Sequence, residues 1–326
     1  QRVEIPKGTY SLDFQEVVPE AGPLTPPAPA VLPEPVKPPS SRGREILFWI
    51  AIVAASVCAV GWYRAAKAVP NTHVPWPIDA VIQPDRQTRV VVSDSSLMLR
   101  LLSNREITLD EYLQPGYRKR MIPAHLPDNI MRMVDYISES QLTSFADLTT
   151  VAALMKLAGP ESAHIELTSA RDLDRRDLEH GNYVFAGSST SNPWVALFAD
   201  KLNFQEVEET VGGRTYFRNR SPLAGEQKEY EGLASTGSAG EDYATISLLP
   251  GEMDQGNVMI LQGLHQEGTE ALSALLADSD DRTRLQEAVR KSVKSNSPYF
   301  EALVRSRAVA GAPVSVDIIA VRSIQP

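Results

Sequence analysis

One cysteine, Cys58, is all that the 326 residues contain. Neither a disulfide framework nor a cysteine-based zinc site can be assembled from a single thiol. Basic excess is missing as well: 32 Lys and Arg stand against 41 Asp and Glu, a formal net charge of −9. Residues 1–86 balance eight basic against eight acidic side chains, so the whole deficit lies beyond them, 24 against 33. An acidic surface of that kind has no electrostatic footprint for nucleic acid. The chain also lacks a Gly-x-Ser-x-Gly elbow, a His-Glu-x-x-His zinc motif, a phosphate-binding P-loop and a dinucleotide Gly-x-Gly-x-x-Gly. Its histidines, His73, His125, His164, His180 and His265, follow no ligand spacing. The carboxylate-rich stretches 171–177 and 278–281 mix signs or fall between helices, and read as solvated surface. The sequence therefore predicts no catalytic residue, no metal site and no cofactor.

Long apolar runs are absent with one exception, from Ile46 to Tyr63, ILFWIAIVAASVCAVGWY. It carries no charge and is bracketed by Arg42, Arg44 and Glu45 before it and Arg64 and Lys67 after it. Eighteen residues of helix rise roughly 27 Å, close to the ~30 Å hydrocarbon core of a bilayer. Trp49, Trp62 and Tyr63 sit near its ends, where amphipathic rings favour the headgroup level. A core helix of a globular domain would show a polar stripe, and this run has none. The reading is a single transmembrane helix within residues 46–69, with the lipid bilayer as its partner. Ala66-Lys67-Ala68 has the small-x-small form of a signal cleavage site, but signal sequences place their 7–15-residue apolar region close to the N-terminus. Here 45 residues come first.

Before the run, residues 1–17 alternate apolar and polar positions (Val3, Ile5, Tyr10, Leu12, Phe14) around Lys7-Gly8, which predicts a β-hairpin. A lone hairpin is marginal in water, so this one is expected to be the remnant of a longer N-terminal domain. Residues 18–45 are rich in proline, favour extended polyproline II at ~3.1 Å per residue, and read as a spacer. Residues 70–86, also polar and proline-containing, read as a second linker, leading to a domain over 87–326.

Arg2-Val3-Glu4-Ile5-Pro6-Lys7-Gly8-Thr9-Tyr10 resembles the R-I-E-I-P-K-G-x-Y close of a cytoplasmic winged-helix-like domain. That domain occurs in bacterial, notably acidobacterial-type, membrane proteins, followed by a proline-rich linker and one transmembrane helix, the same order of parts as here. The C-terminal half resembles the extracytoplasmic part of some of these proteins at Val92-Ser93-Asp94-Ser95-Ser96, Ser191-Asn192-Pro193-Trp194 and Gln255-Gly256-Asn257-Val258. The resemblance implies a single-pass protein of the inner membrane, N-terminus cytoplasmic and C-terminal domain periplasmic. Charge alone does not decide this, because Arg42 and Arg44 face Arg64 and Lys67. It also implies a transcriptional regulator or signal transducer that meets nucleic acid only through the missing N-terminal domain, if at all. No DNA-contacting residue can be carried over.

From residue 87 apolar strands alternate with helical patterns, which predicts an α/β layered domain with a mainly parallel sheet. Strands are expected at Thr88 to Val92, His164 to Leu167, Tyr183 to Ala186, Ala244 to Leu249, Val258 to Leu261 and Val314 to Val321. Helices are expected from Ser95, Pro127, Phe145 (capped by Thr143), Pro193, Glu267 and Arg282. A hairpin turning at Gly212-Gly213 is expected within 203–220.

Three times an apolar strand runs into a small, polar loop that opens a helix. The residues are Asp94, Ser95 and Ser96; Ser188, Ser189, Asn192 and Trp194; and His265, Gln266 and Thr269. Ligands of parallel α/β sheets settle at the carboxyl ends of strands, and helix N-termini there offer free N–H groups. If the three strands are neighbours, the loops form one rim suited to a small anionic or polar ligand, with His265 able to add charge near neutral pH and Trp194 an apolar wall. Taken singly, each loop reads first as a set of helix caps. Two functions remain open: a membrane-anchored sensor or regulator whose extracytoplasmic domain binds a ligand or partner, and a structural or assembly subunit docking an envelope protein.

Overall fold

The computed structural model describes residues 49–52, 54–56, 58, 73–232, 239–251, 256–293, 297–309 and 312–325. The chain divides into two units, Gln1–Ala68 and Val69–Pro326. In the first, the described residues 49–52, 54–56 and 58 are helical. Trp49, Ile50 and Ile52 are exposed, and Ser56 Oγ donates back to the Ile52 carbonyl at 2.8 Å. Among the described residues no helix is long and apolar enough to cross a membrane. The rest of the run from Ile46 to Tyr63, the expected hairpin of 1–17 and the linker of 18–45 lie outside the described residues.

The second unit is α/β. Its strands are β1 (Thr88–Val92), β2 (Ile165–Ser169), β3 (Asn182–Ala186), β4 (Phe204–Glu208), β5 (Thr215–Asn219), β6 (Glu229–Glu231), β7 (Ala239–Pro250), β8 (Asn257–Gly263), β9 (Phe300–Val309) and β10 (Ala312–Ser323). Seven form one sheet in the order β10-β9-β7-β8-β3-β1-β2. β8, β3, β1 and β2 run parallel, and β7, β9 and β10 pair antiparallel. The sheet is thus mixed: a parallel half joined to a long antiparallel half. β4, β5 and β6 make a separate antiparallel sheet; β4 and β5 are the expected hairpin.

The helices are α1 (Arg100–Ser103), α2 (Leu109–Tyr112), α3 (Tyr117–Met121), α4 (Asp128–Glu139), α5 (Phe145–Ala158), α6 (Gln266–Ala277) and α7 (Ser279–Ser292). The segments after β1 and β3 begin instead as 3-10 turns, Ser95–Leu99 and Pro193–Lys201. Period-2 alternation in the parallel strands serves two cores. Val90 and Val184 point to one that includes Leu154 of α5, Leu272 of α6 and Leu285 of α7. Val91 and Phe185 point to the other, with Tyr112, Met121, Val134 and Trp194. A third cluster, around Phe204, Phe217, Tyr230 and Leu303, joins the small sheet to the large one.

Two expectations are corrected here. Residues 73–86 are not a linker: Val74, Ile78, Val81 and Ile82 are buried and belong to the first core. Prolines at 75, 77 and 84 disguise the apolar spacing. The N-cap of α5 is Ser144, whose Oγ accepts from Asp147 N, whereas Thr143 donates to the Asp147 carboxylate at 3.0 Å.

Candidate functional site

The order β8-β3-β1 makes the three loop-bearing strands adjacent and parallel. β2 follows on the far side of β1, so the chain reverses its direction of winding there, the place where α/β sheets open a crevice. A cleft of about 270 Å³ lies at these carboxyl ends, and all three loops line it, through Asp94 and Ser95, through Ser188, and through His265, Gln266 and Thr269. Ser189 lines a second chamber of about 460 Å³, which shares Leu97, Arg100 and Thr190 with the first.

Three of the expected residues line neither cleft nor chamber. Ser96 is fully buried, its Oγ 3.2 Å from Tyr117 Oη. Asn192 is buried and donates to the Val91 and Ala186 carbonyls, tying β1 to β3 from beneath. Trp194 is a core residue, not a wall: its indole N–H reaches the Ala170 carbonyl at 2.8 Å. Each looked available because polar loop residues and a neighbouring aromatic carry no mark of their long-range partners.

Several backbone N–H groups of the loops are engaged by the protein's own carboxylates. Asp147 accepts from Ser93 N at 3.2 Å, Asp94 from Ser96 N at 2.9 Å and Glu206 from Ser189 N at 2.6 Å. Asp242 accepts from His265 N at 3.1 Å and Gly268 N at 2.7 Å, and so occupies the amino end of α6. A Cβ at Gly268 would lie 2.7 Å from Asp242 Oδ2, which is why that position is open enough for the cap. An external anion would meet carboxylates where it was expected to meet free donors.

Hydroxyls line the floor. Ser93, Ser191, Ser188 and Thr190 form a chain of contacts at 3.2, 3.2 and 2.8 Å. Gly187, with φ of +101°, brings the backbone under them; a Cβ there would lie 2.1 Å from Ser93 Oγ. On one wall Asp94 is held by Arg171, whose Nη2 lies 2.6 Å away, by Tyr112 Oη at 3.1 Å and by Tyr117 Oη. Burial pushes the Asp94 carboxyl up, but these donors together hold it below its usual range. Arg171, expected on a solvated surface, is buried in this pair. On the opposite wall His265 Nδ1 meets Asp242 Oδ1 at 3.0 Å, and this bond raises the imidazole pKa against the opposing effect of burial. Arg100 forms a bidentate pair with Glu208 of β4 at 2.6 and 3.0 Å, closing the boundary between cleft and chamber.

Sequence reasoning missed Ser93, Asp147, Gly187, Thr190 and Ser191 as lining residues, and Glu206 of the chamber. Gly187, Thr190 and Ser191 lie within 187–194, GSSTSNPW, whose density of small residues was the usable signal. Asp147 was concealed as a first-turn acid of α5, and Glu206 stood in an ordinary strand pattern. Among the described residues no group of three or more His, Cys, Asp or Glu could hold a metal. Comparison of the chain with protein-family models, with curated proteins and with solved structures finds no match. The function has to be argued from this geometry.

Proposed function

We propose that the chain is a membrane-anchored sensor or regulator whose α/β domain binds a small polar ligand in the cleft at the ends of β1, β3 and β8. The observation that carries the reading is the shared cleft: three loops distant in sequence line one hydroxyl-rich recess at the switch point of a parallel sheet. The anchor is the uncharged run from Ile46 to Tyr63, with the N-terminus cytoplasmic and the domain outside the inner membrane. Ligand occupancy would then be relayed through that helix to a cytoplasmic region. An alkaline phosphatase fusion after Pro326 is expected to be active; an inactive fusion on stably expressed protein overturns the orientation. For the cleft, thermal unfolding of the full chain in detergent is followed with glucose, glutamine and inorganic phosphate as probes. Stabilisation by glucose or glutamine is expected in the wild type and lost in Ser188→Trp, which fills the recess. At a ligand concentration of 100 Kd the gain is about 2.7 kcal/mol. Equal stabilisation of wild type and variant overturns the placement of the site.

A second reading, an assembly subunit, draws on exposed apolar side chains: Met133 and Tyr136 on α4, and Phe145, Leu148 and Met155 on α5. A docking face needs such residues in one patch of several hundred Å². Loss of a stable envelope complex on Leu148→Asp, with no effect of Ser188→Trp, would favour it.

A further inference from the structure

Glu206 is a chamber carboxylate whose hydrogen-bond partners all fall on one oxygen. Its Oε2 accepts from Ser189 N at 2.6 Å, Ser189 Oγ at 2.7 Å and Gln262 Nε2 at 2.7 Å. Its Oε1, shielded from solvent, has no hydrogen-bond partner among the described residues. Asp94 and Asp242, by contrast, spend both oxygens, and each has a cationic or imidazole partner. An enclosed carboxylate with three neutral donors and no direct ion pair among the described residues is costly, because a buried charge needs pairing. Burial accordingly pushes the Glu206 carboxyl above its usual range, against the pull of Ser189 and Gln262, and neighbouring Glu208 pushes the same way.

Glu206 lines the chamber beside the cleft, together with Glu106 and Glu208. Among the described residues Arg100 is the only cation lining it, and it is matched by Glu208. The chamber therefore has two carboxyl groups in excess, Glu206 within and Glu106 exposed at the rim. The remaining walls are largely apolar, among them Leu97, Ile107, Pro193 and Val207. Such a space disfavours an anion and a fully hydrated cation alike. It suits an ammonium group on a hydrocarbon stem, which supplies the positive charge that the chamber lacks.

We propose that this chamber is a subsite for a cationic amine on an apolar stem, with Glu206 as its counter-charge. The proposal rests on the strand-end binding site argued above and adds the chemical class of its ligand. Because cleft and chamber share Leu97, Arg100 and Thr190, an elongated molecule can place polar groups on the hydroxyl floor and its amine against Glu206.

The test is isothermal titration of the full chain in detergent with n-hexylammonium, 1-hexanol and hexanoate, which share a stem and differ in charge. Hexylammonium is expected to bind at least tenfold more tightly than either other compound. Glu206→Gln keeps the shape and an acceptor for Ser189 but removes the charge, and should weaken hexylammonium by roughly tenfold to a hundredfold, the range of a hydrogen bond to a charged group. Ala196→Trp, at an exposed position lining the chamber, should abolish binding without touching the buried network, and stands in for Glu206→Gln if that variant does not fold. Hexanoate or hexanol binding as tightly as the amine overturns the assignment, as does unchanged amine binding in both variants; the strand-end site survives either result if Ser188→Trp still abolishes stabilisation by glucose or glutamine. Absence of any Ser188-dependent ligand and of amine binding removes both.

Discussion

Replacing Asp94 with Asn removes the charge at the centre of the network that holds the cleft's β1 wall. The Asp94 side chain is wholly buried and Arg171 is 7% exposed. The carboxylate takes two guanidinium contacts, two phenol hydroxyls and the Ser96 N–H. Asparagine leaves the guanidinium without a counter-charge and turns an acceptor into a donor facing other donors. Breaking a buried pair from one side costs about 3–5 kcal/mol. Arg171 retains the Ser138 carbonyl at 3.3 Å, which places the expectation near 3 kcal/mol, read as a lower urea midpoint with unchanged slope. The pH dependence has a definite sign. The folded carboxyl sits below its usual 3.8, so its contribution is complete above that value and is lost as pH falls through the folded pKa. Wild type and Asp94→Asn should therefore converge in stability on the acid side. Adding Arg171→Met should recover part of the loss, since an apolar replacement of the whole pair is often neutral. A single-variant loss under about 1 kcal/mol, or no recovery in the double variant, would refute this account of the wall.

Ile78→Ala should cost about 2–5 kcal/mol if residues 73–86 belong to the core, and a loss in urea unfolding free energy of less than about 0.5 kcal/mol would return them to a linker. Gly187→Ala should cost roughly 2–5 kcal/mol, combining ~1–2 for a side chain at positive φ with ~1–3 for overpacking against Ser93; circular dichroism melts test it. Glu301 is buried, accepts from Asn203 N and Phe204 N, and is pushed up to about 7 by burial. Its contribution is present below its usual 4.5 and lost as pH rises through about 7, so Glu301→Gln, measured at pH 5 and pH 8, should gain on wild type at the higher pH.

The parallel half of the fold was legible because its strands are short apolar runs ended by Ser, Asn or Gly, and β1, β3 and β8 fall close to where those runs stand. Their adjacency was not legible: order in a sheet is fixed by which faces pack, and no local pattern carries it. The antiparallel half was read as further α/β units, since β7, buried on both faces, looks like a parallel strand. The cleft residues were found where several small polar side chains followed one another. Apart from Asp94, the carboxylates around it were not, because Asp147, Glu206 and Asp242 reach N–H groups 54, 17 and 23 to 26 positions away.

Amide hydrogen exchange of the full chain in detergent, with and without hexylammonium extended by a polar head such as 6-aminohexanol, tests the shared site most directly. The account predicts that peptides spanning 93–101, 187–192 and 263–269 gain protection together, and that Ser188→Trp removes all three gains at once. Protection confined to one loop, or falling on α4 and α5 instead, would contradict it and leave three separate helix caps.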